Sequence, residues 1–221
     1  MKTDRPARIG SREVVEQLKD WIKHGLLVPG QRLVEADVVR DSGASRAHVR
    51  EAFQRLESEG VVVIEEFRGA SVRRLSRSEV EQMYRAREAL EGMAARLIAE
   101  RGLSLDKQQE LRGLQSALNE AALARRADEY SRNNELLHRF ISDNADNANI
   151  AVFLERLRLP LVRLQFRFLM RPEEMEKSNR DHFALVTHIL ERNPEGAEQA
   201  MRKHIRDALE NLQRLEDSSF A

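Results

Sequence analysis

A chain of 221 residues can hold one large domain or two ordinary ones and bury a core without covalent staples. It has no cysteine, which excludes a disulfide framework, a thiolate metal site and a cysteine nucleophile, and fits a reducing, cytoplasmic setting. Lys plus Arg and Asp plus Glu both total 37, so affinity for a polyanion has to come from a local patch rather than from net charge.

Charged residues make up 33% of the chain and aromatics 5%, the palette of amphipathic helices, and the fold is predicted to be mostly α. The N-terminal arm, residues 1–10, carries Lys2, Arg5 and Arg8 without an apolar run, so it does not read as a secretory signal. The longest aliphatic run is Val61 to Ile64, far short of the roughly 20 residues of a transmembrane helix.

Ser11 can cap a first helix, in which Val14, Val15, Leu18 and Ile22 follow the 3.6 period until Pro29-Gly30 stops it. A short second helix spans about Glu35 to Arg40 and ends at Ser42-Gly43-Ala44. Ser45 then caps a third, with Val49, Ala52, Phe53 and Leu56 facing inward and Gly60 closing it. Two short helices joined by a tight glycine turn form a helix-turn-helix. The β-branched run Val61 to Ile64 predicts a strand, Glu65 to Gly69 a turn, and Ala70 to Arg73 the return strand, making a hairpin or wing.

Residues 75–77 read as a linker, and Ser78 with Glu81 as the capping box of a long helix to about Arg101. Further helices are predicted at about Leu105 to Arg125, Asp128 to Asp143, Ile150 to Met170 with a kink at Pro160, Glu173 to Arg192 and Glu195 to Leu215. The predicted architecture is a winged helix-turn-helix of three helices and a small hairpin over residues 11–74. An antiparallel all-helical bundle follows over residues 78–221.

With Ser45 as N-cap, the face of the third helix opposite Val49 and Phe53 carries Arg46, Ala47, Arg50 and Gln54. Arginine there can donate two bonds to guanine in the major groove, and small apolar groups can touch thymine methyls. Arg68, beside the permissive Gly69 at the wing tip, can reach a phosphate or the minor groove. Taken singly, each of these arginines reads more readily as a solvated surface residue, and it is the ordered set that points to DNA.

Pro29-Gly30 with Leu33 and Glu35, then Ser45-Arg46-Ala47-His48-Val49-Arg50-Glu51-Ala52, Leu56, Glu59-Gly60 and Gly69-Ala70-Ser71-Val72 resemble the GntR-type winged helix-turn-helix over residues 11 to 74. The resemblance implies DNA contacts from Arg46, Arg50 and Gly69, with Ala47 and His48 within the reading segment. Ala47-His48 stands where many members carry Thr-Pro, which leaves the base preference open.

In the helical half, Asn134 and His138 share a helix face with Leu137 and Ile141, His182 shares one with Leu185, Val186 and Ile189, and His204 aligns with Met201, Ala208 and Leu212. If Pro194 marks the tip of a helical hairpin, His182 and His204 lie at nearly the same height, offset by roughly 3 Å. Three neutral imidazoles and a side-chain oxygen suit Zn, Ni or Mn, with positions left for water or a carboxylate. Hydrogen-bonded core histidines are the alternative reading.

Met83 to Arg96, with Arg87-Glu88-Ala89-Leu90-Glu91 at its centre, Asn134 to His138, His182 and Ala200 to Ile205 look like the FCD ligand-binding domain of the FadR branch of that family. The resemblance implies metal ligands at Asn134, His138, His182 and His204, with Asn in place of the commoner Asp. Arg87, in an apolar seam with Met83, Leu90 and Ala94, requires an anion, either an effector carboxylate or an internal partner such as Glu135 or Glu173.

Together these features predict a homodimeric transcription regulator, a repressor of a metabolic operon. It would bind double-stranded palindromic operator DNA and respond to a small organic acid, with no membrane partner. Two other readings stay open: a metal-dependent enzyme using the three histidines, and a DNA-binding protein whose bundle only dimerises. The sequence has no HExxH, no GxSxG elbow and no phosphate-binding glycine loop to support catalysis.

Overall fold

Val14, Val15, Leu18 and Ile22 recur at helical spacing and form the buried face of α1 (Ser11–His24). The cap of this helix is Gly10 rather than Ser11, because the Glu13 carboxylate reaches back to accept from the Gly10 backbone N–H at 3.1 Å. These elements belong to a computed structural model that describes residues 9–161, 171–216 and 220. Residues 1–8 of the N-terminal arm, the part of the helix predicted at 150–170 that lies beyond residue 161, and residues 217–219 and 221 fall outside the described residues.

Gly43, at φ 71°, closes α2 (Glu35–Ser42) in the left-handed conformation that a residue with a Cβ adopts only with strain. Ser45 caps α3 (Arg46–Ser58), its hydroxyl accepting from the His48 N–H at 3.2 Å as the sequence pattern predicts. Val49, Ala52, Phe53 and Leu56 anchor α3, which packs on α1 and α2.

The wing is a three-stranded antiparallel sheet rather than a hairpin alone. Strands β2 (Val62–Glu65) and β3 (Gly69–Val72) pair with Val62 opposite Val72 and Glu65 opposite Gly69. A strand absent from the sequence reading, β1 (Arg32–Leu33), pairs with the other edge of β3, and the strand order is β1-β3-β2. Two residues carry no alternation to read, so only the backbone pairing reveals β1.

The first compact unit ends at Leu75, which is buried, and takes in Phe220, whose carbonyl accepts from Arg74 Nη2 at 2.7 Å. The second begins at Ser76, so residues 75–77 form no separate linker. The capping box of α4 (Arg77–Arg101) is Ser76 with Glu79, two residues before the Ser78 and Glu81 of the sequence reading. Glu79 N–H donates to Ser76 Oγ at 3.2 Å, and Glu79 Oε2 accepts from Ser76 N–H at 2.8 Å. The two serines offer the same motif locally, and Ser76 is the one with extended backbone (φ −71°, ψ 159°). Ser76→Ala is expected to lower unfolding stability by about 0.5–2 kcal/mol in urea denaturation.

The remaining helices are α5 (Leu105–Leu123), α6 (Ala127–Asp143), α7 (Ala148–Arg158), α8 (Pro172–Leu190) and α9 (Pro194–Leu212). At the predicted Pro160 kink, α7 stops at Arg158 and passes into a 3-10 turn, Leu159–Leu161. Helix α9 packs along α4 and beside α8, while α5 packs on α6 and α8. Tyr84, Leu111, Leu118, Tyr130, Leu137, Ile141, Leu154 and Met175 fill the interior of this unit. Among the described residues no helix is long and apolar enough to cross a membrane.

Candidate nucleic-acid interface and candidate metal centre

Anchoring α3 through Val49, Ala52, Phe53 and Leu56 leaves Arg46, Ala47, Arg50 and Gln54 exposed along the opposite face. Arg46, in the first turn, has no ion-pair partner among the described residues. Arg50 does: its Nε donates to Glu35 Oε2 at 2.8 Å, joining α3 to the start of α2. His48 is half-buried, and its Nδ1 lies 2.9 Å from the Ile9 carbonyl, so part of its ring is engaged with the chain entering α1. At the wing, Arg68 pairs with Glu65 at 3.2 Å, and Gly69 opens β3 at φ 82°.

A groove between α3 and the wing is lined by Arg32, Glu35, Arg50, Gln54, Ile64 and Gly69. Arg32 is a cation that the sequence reading missed, because its position depends on the unread strand β1. It is exposed, and its Nη2 lies 3.8 Å from where a Cβ on Gly69 would sit.

In the helical unit, His138 on α6, His182 on α8 and His204 on α9 are buried and converge, with one ring nitrogen of each within 4.8 Å of the others. The Asn193-Pro194 turn between α8 and α9 brings the last two together, their ring centroids 4.4 Å apart. Asn134 lies one turn before His138 on α6, half-buried, and makes no side-chain hydrogen bond to another described residue.

The outward ring nitrogens meet oxygen. His138 Nδ1 donates to Glu91 Oε2 at 2.5 Å, His182 Nδ1 lies 3.4 Å from Tyr130 Oη, and His204 Nδ1 lies 3.9 Å from Asp181 Oδ2. With its proton committed to Glu91, a neutral His138 presents the lone pair of Nε2 inward, 3.2 Å from His182 Nε2. Either His182 donates Nε2–H across that gap, or both lone pairs face the same point, as around a cation. Nitrogens bound about 2.0–2.1 Å from one ion lie about 3–3.5 Å apart; the His138–His182 gap of 3.2 Å matches this, while the three candidate ligand atoms together spread over as much as 4.8 Å.

Glu91 is the residue that sequence reasoning missed here. It is 1% exposed and joins three helices: Arg87 Nε at 2.8 Å on its own helix α4, His138 on α6, and Arg158 Nη2 at 3.2 Å on α7. The internal anion for Arg87 is therefore Glu91, not Glu135 or Glu173. The spacing i, i+4 was the available signal. Among the described residues, Arg87 Nη1 and Arg158 Nε are buried without a hydrogen-bond partner.

Burial by itself raises the Glu91 carboxyl, but Arg158, Arg87 and His138 outweigh it and hold the group well below the ordinary carboxylate range. Burial pushes His138 down to about 4 against the pull of Glu91, and pushes His182 well below its ordinary value, with His204 and His138 adding to the effect. Both rings are thus neutral near pH 7, the state in which imidazole can ligate a metal.

Residues 11–72 match the bacterial regulatory proteins of the gntR family, and residues 82–207 match the FCD domain. The chain is 26% identical over 203 residues to the HTH-type transcriptional regulator YdhC of Bacillus subtilis (strain 168), covering 90% of this chain and 89% of that one. It is 24% identical over 213 residues to the HTH-type transcriptional repressor RspR of Escherichia coli (strain K12), covering 95% and 92%. The solved structure of E. coli McbR/YncC superposes with a TM-score of 0.81 at 21% identity, over 92% of this chain and 97% of that one, a likeness of fold. With a winged helix-turn-helix in its first unit and both halves matched, the chain belongs to the GntR family of transcription regulators, DNA-binding proteins rather than enzymes, with an FCD domain as its helical unit.

Proposed function

We propose that this regulator is a repressor of a metabolic operon, released from or retained on a palindromic operator by a small organic acid that binds beside a divalent metal. In this reading Arg46 and Arg50 contact base edges in the major groove, Ala47 and Gln54 flank them, His48 sets the start of α3, and Arg68 and Gly69 serve the wing. His138, His182 and His204, with Asn134 as the fourth donor, hold the metal, which polarises and charge-matches the effector carboxylate when bound. The buried Nη1 of Arg87, without a partner among the described residues, supplies a further hydrogen bond to that carboxylate. Exposed Leu136, Phe153 and Phe183 on α6, α7 and α8 offer apolar surface of the kind a two-fold partner covers.

The observation that carries the reading is the convergence of three buried imidazoles, each with an oxygen behind its outward nitrogen, in a domain that follows a winged helix-turn-helix on the same chain. Elemental analysis of protein purified without chelator should find a stoichiometric divalent ion, lost in His138→Ala and His182→Ala. Thermal shifts with small mono- and dicarboxylates should then appear for the metal-loaded protein and vanish after chelation. Protein that stays metal-free after incubation with Zn, Ni and Mn would leave the histidines as core residues and the bundle as a dimerisation unit.

A further inference from the structure

Glu35 stands out in the candidate interface because a carboxylate facing a phosphate backbone is repelled by it. Glu35 lines the groove between α3 and the wing, half-buried, and takes the Nε–H of Arg50 at 2.8 Å. A guanidinium has five N–H donors on its edges, and the bond to Glu35 uses the side edge at Nε. The two terminal nitrogens of Arg50 have no partner among the described residues. That end edge is the one that donates to N7 and O6 of guanine.

We propose that Glu35 is a positioning residue for base reading: by holding the Nε edge of Arg50 it fixes the plane and reach of the guanidinium, so that its end edge meets one guanine in each half-site. The inference rests on Arg50 being a reading residue. An untethered arginine loses its rotamer freedom on docking, whereas Arg50 has surrendered much of it before DNA arrives. Arg46 carries no such tether, and Arg40 is locked between Asp37 and Asp41 away from this role. Glu35 also lies in the first turn of α2, where a carboxylate favours the helix dipole, and the test separates that stabilising effect from positioning.

The probe is a fluorescein-labelled duplex selected by the wild-type protein from a randomised library, together with a scrambled duplex and versions with each half-site guanine changed to adenine. Anisotropy titrations at fixed salt give the affinities, and thermal melting reports folding. Glu35→Ala should cut discrimination at one guanine about tenfold, while affinity for the scrambled duplex holds or rises because a repelling charge is gone. Glu35→Gln, an isostere that keeps an acceptor, should retain more of the discrimination than alanine. Arg50→Ala should lose preference at that same guanine.

If Arg50→Ala loses that preference but Glu35→Ala and Glu35→Gln keep it, positioning by Glu35 is wrong and reading by Arg50 stands. Equal weakening of selected and scrambled duplexes by both Glu35 variants, or a fall in melting temperature that accounts for the loss, would also overturn it by making the carboxylate a fold residue. If Arg50→Ala leaves every base preference intact, the reading assigned to Arg50 fails first.

Discussion

Alanine at both Arg46 and Arg50 is expected to reduce sequence-specific DNA binding to the level of a scrambled duplex, with no change in melting temperature. Both side chains are exposed on α3, opposite the residues that hold the helix to α1, so their removal leaves the core untouched. A bidentate arginine–guanine contact discriminates about tenfold or more. In the two-fold dimer proposed above each arginine would count in both half-sites, so the double variant should lose roughly 10³–10⁴ of the selected-over-scrambled ratio, within the range that separates specific from non-specific binding. Neutralising cations also flattens the salt dependence of whatever binding remains. The measurement is anisotropy at two or more salt concentrations, and a double variant that still prefers the selected duplex at wild-type strength would refute the assignment of this face.

The second large effect should come from Glu91. Its carboxylate is the acceptor for Arg87, Arg158 and His138 inside a unit where none of these can reach bulk water easily. Glu91→Ala leaves two guanidinium groups facing each other's charge without their shared anion, and breaking a buried pair in this way costs about 3–5 kcal/mol. Glu91→Gln keeps the volume and one acceptor oxygen and should fall between alanine and wild type. Because Glu91 also holds the His138 proton on Nδ1, the glutamine variant should bind divalent metal about 10–100-fold more weakly, as the loss of an outer hydrogen bond to a ligand histidine generally does. Urea denaturation and metal titration of Glu91→Gln check both expectations, and wild-type values in both would mean that Arg87 and Arg158 find another anion.

Much of the frame was legible because it is local. The apolar period of α1 and α3, the Ser45 cap, the glycine that closes α2 and the β-branched run of β2 each involve neighbours a few residues apart, and the structure contains them all. The meeting of His182 with His204 was also readable, since a helical hairpin with its tip at Pro194 fixes heights along the axis by counting residues. Capping shows the boundary of that power. Ser76 and Ser78 both stand three residues before a glutamate, and local chemistry does not choose between them.

The sequence by itself therefore determined most of the described helices, the faces they bury, the exposed arginines on α3 and the inward histidines on α6, α8 and α9. Only the tertiary structure decided who pairs with whom. Strand β1 exists because β3 lies beside it, Glu35 reaches Arg50 across the α2–α3 turn, and Glu91 is drawn into partnership with groups on α6 and α7. The physical reason is that periodicity fixes a side chain's angle around its own helix, whereas an ion pair between elements also depends on how those elements cross and how far they slide. Those variables are set by packing the whole core at once.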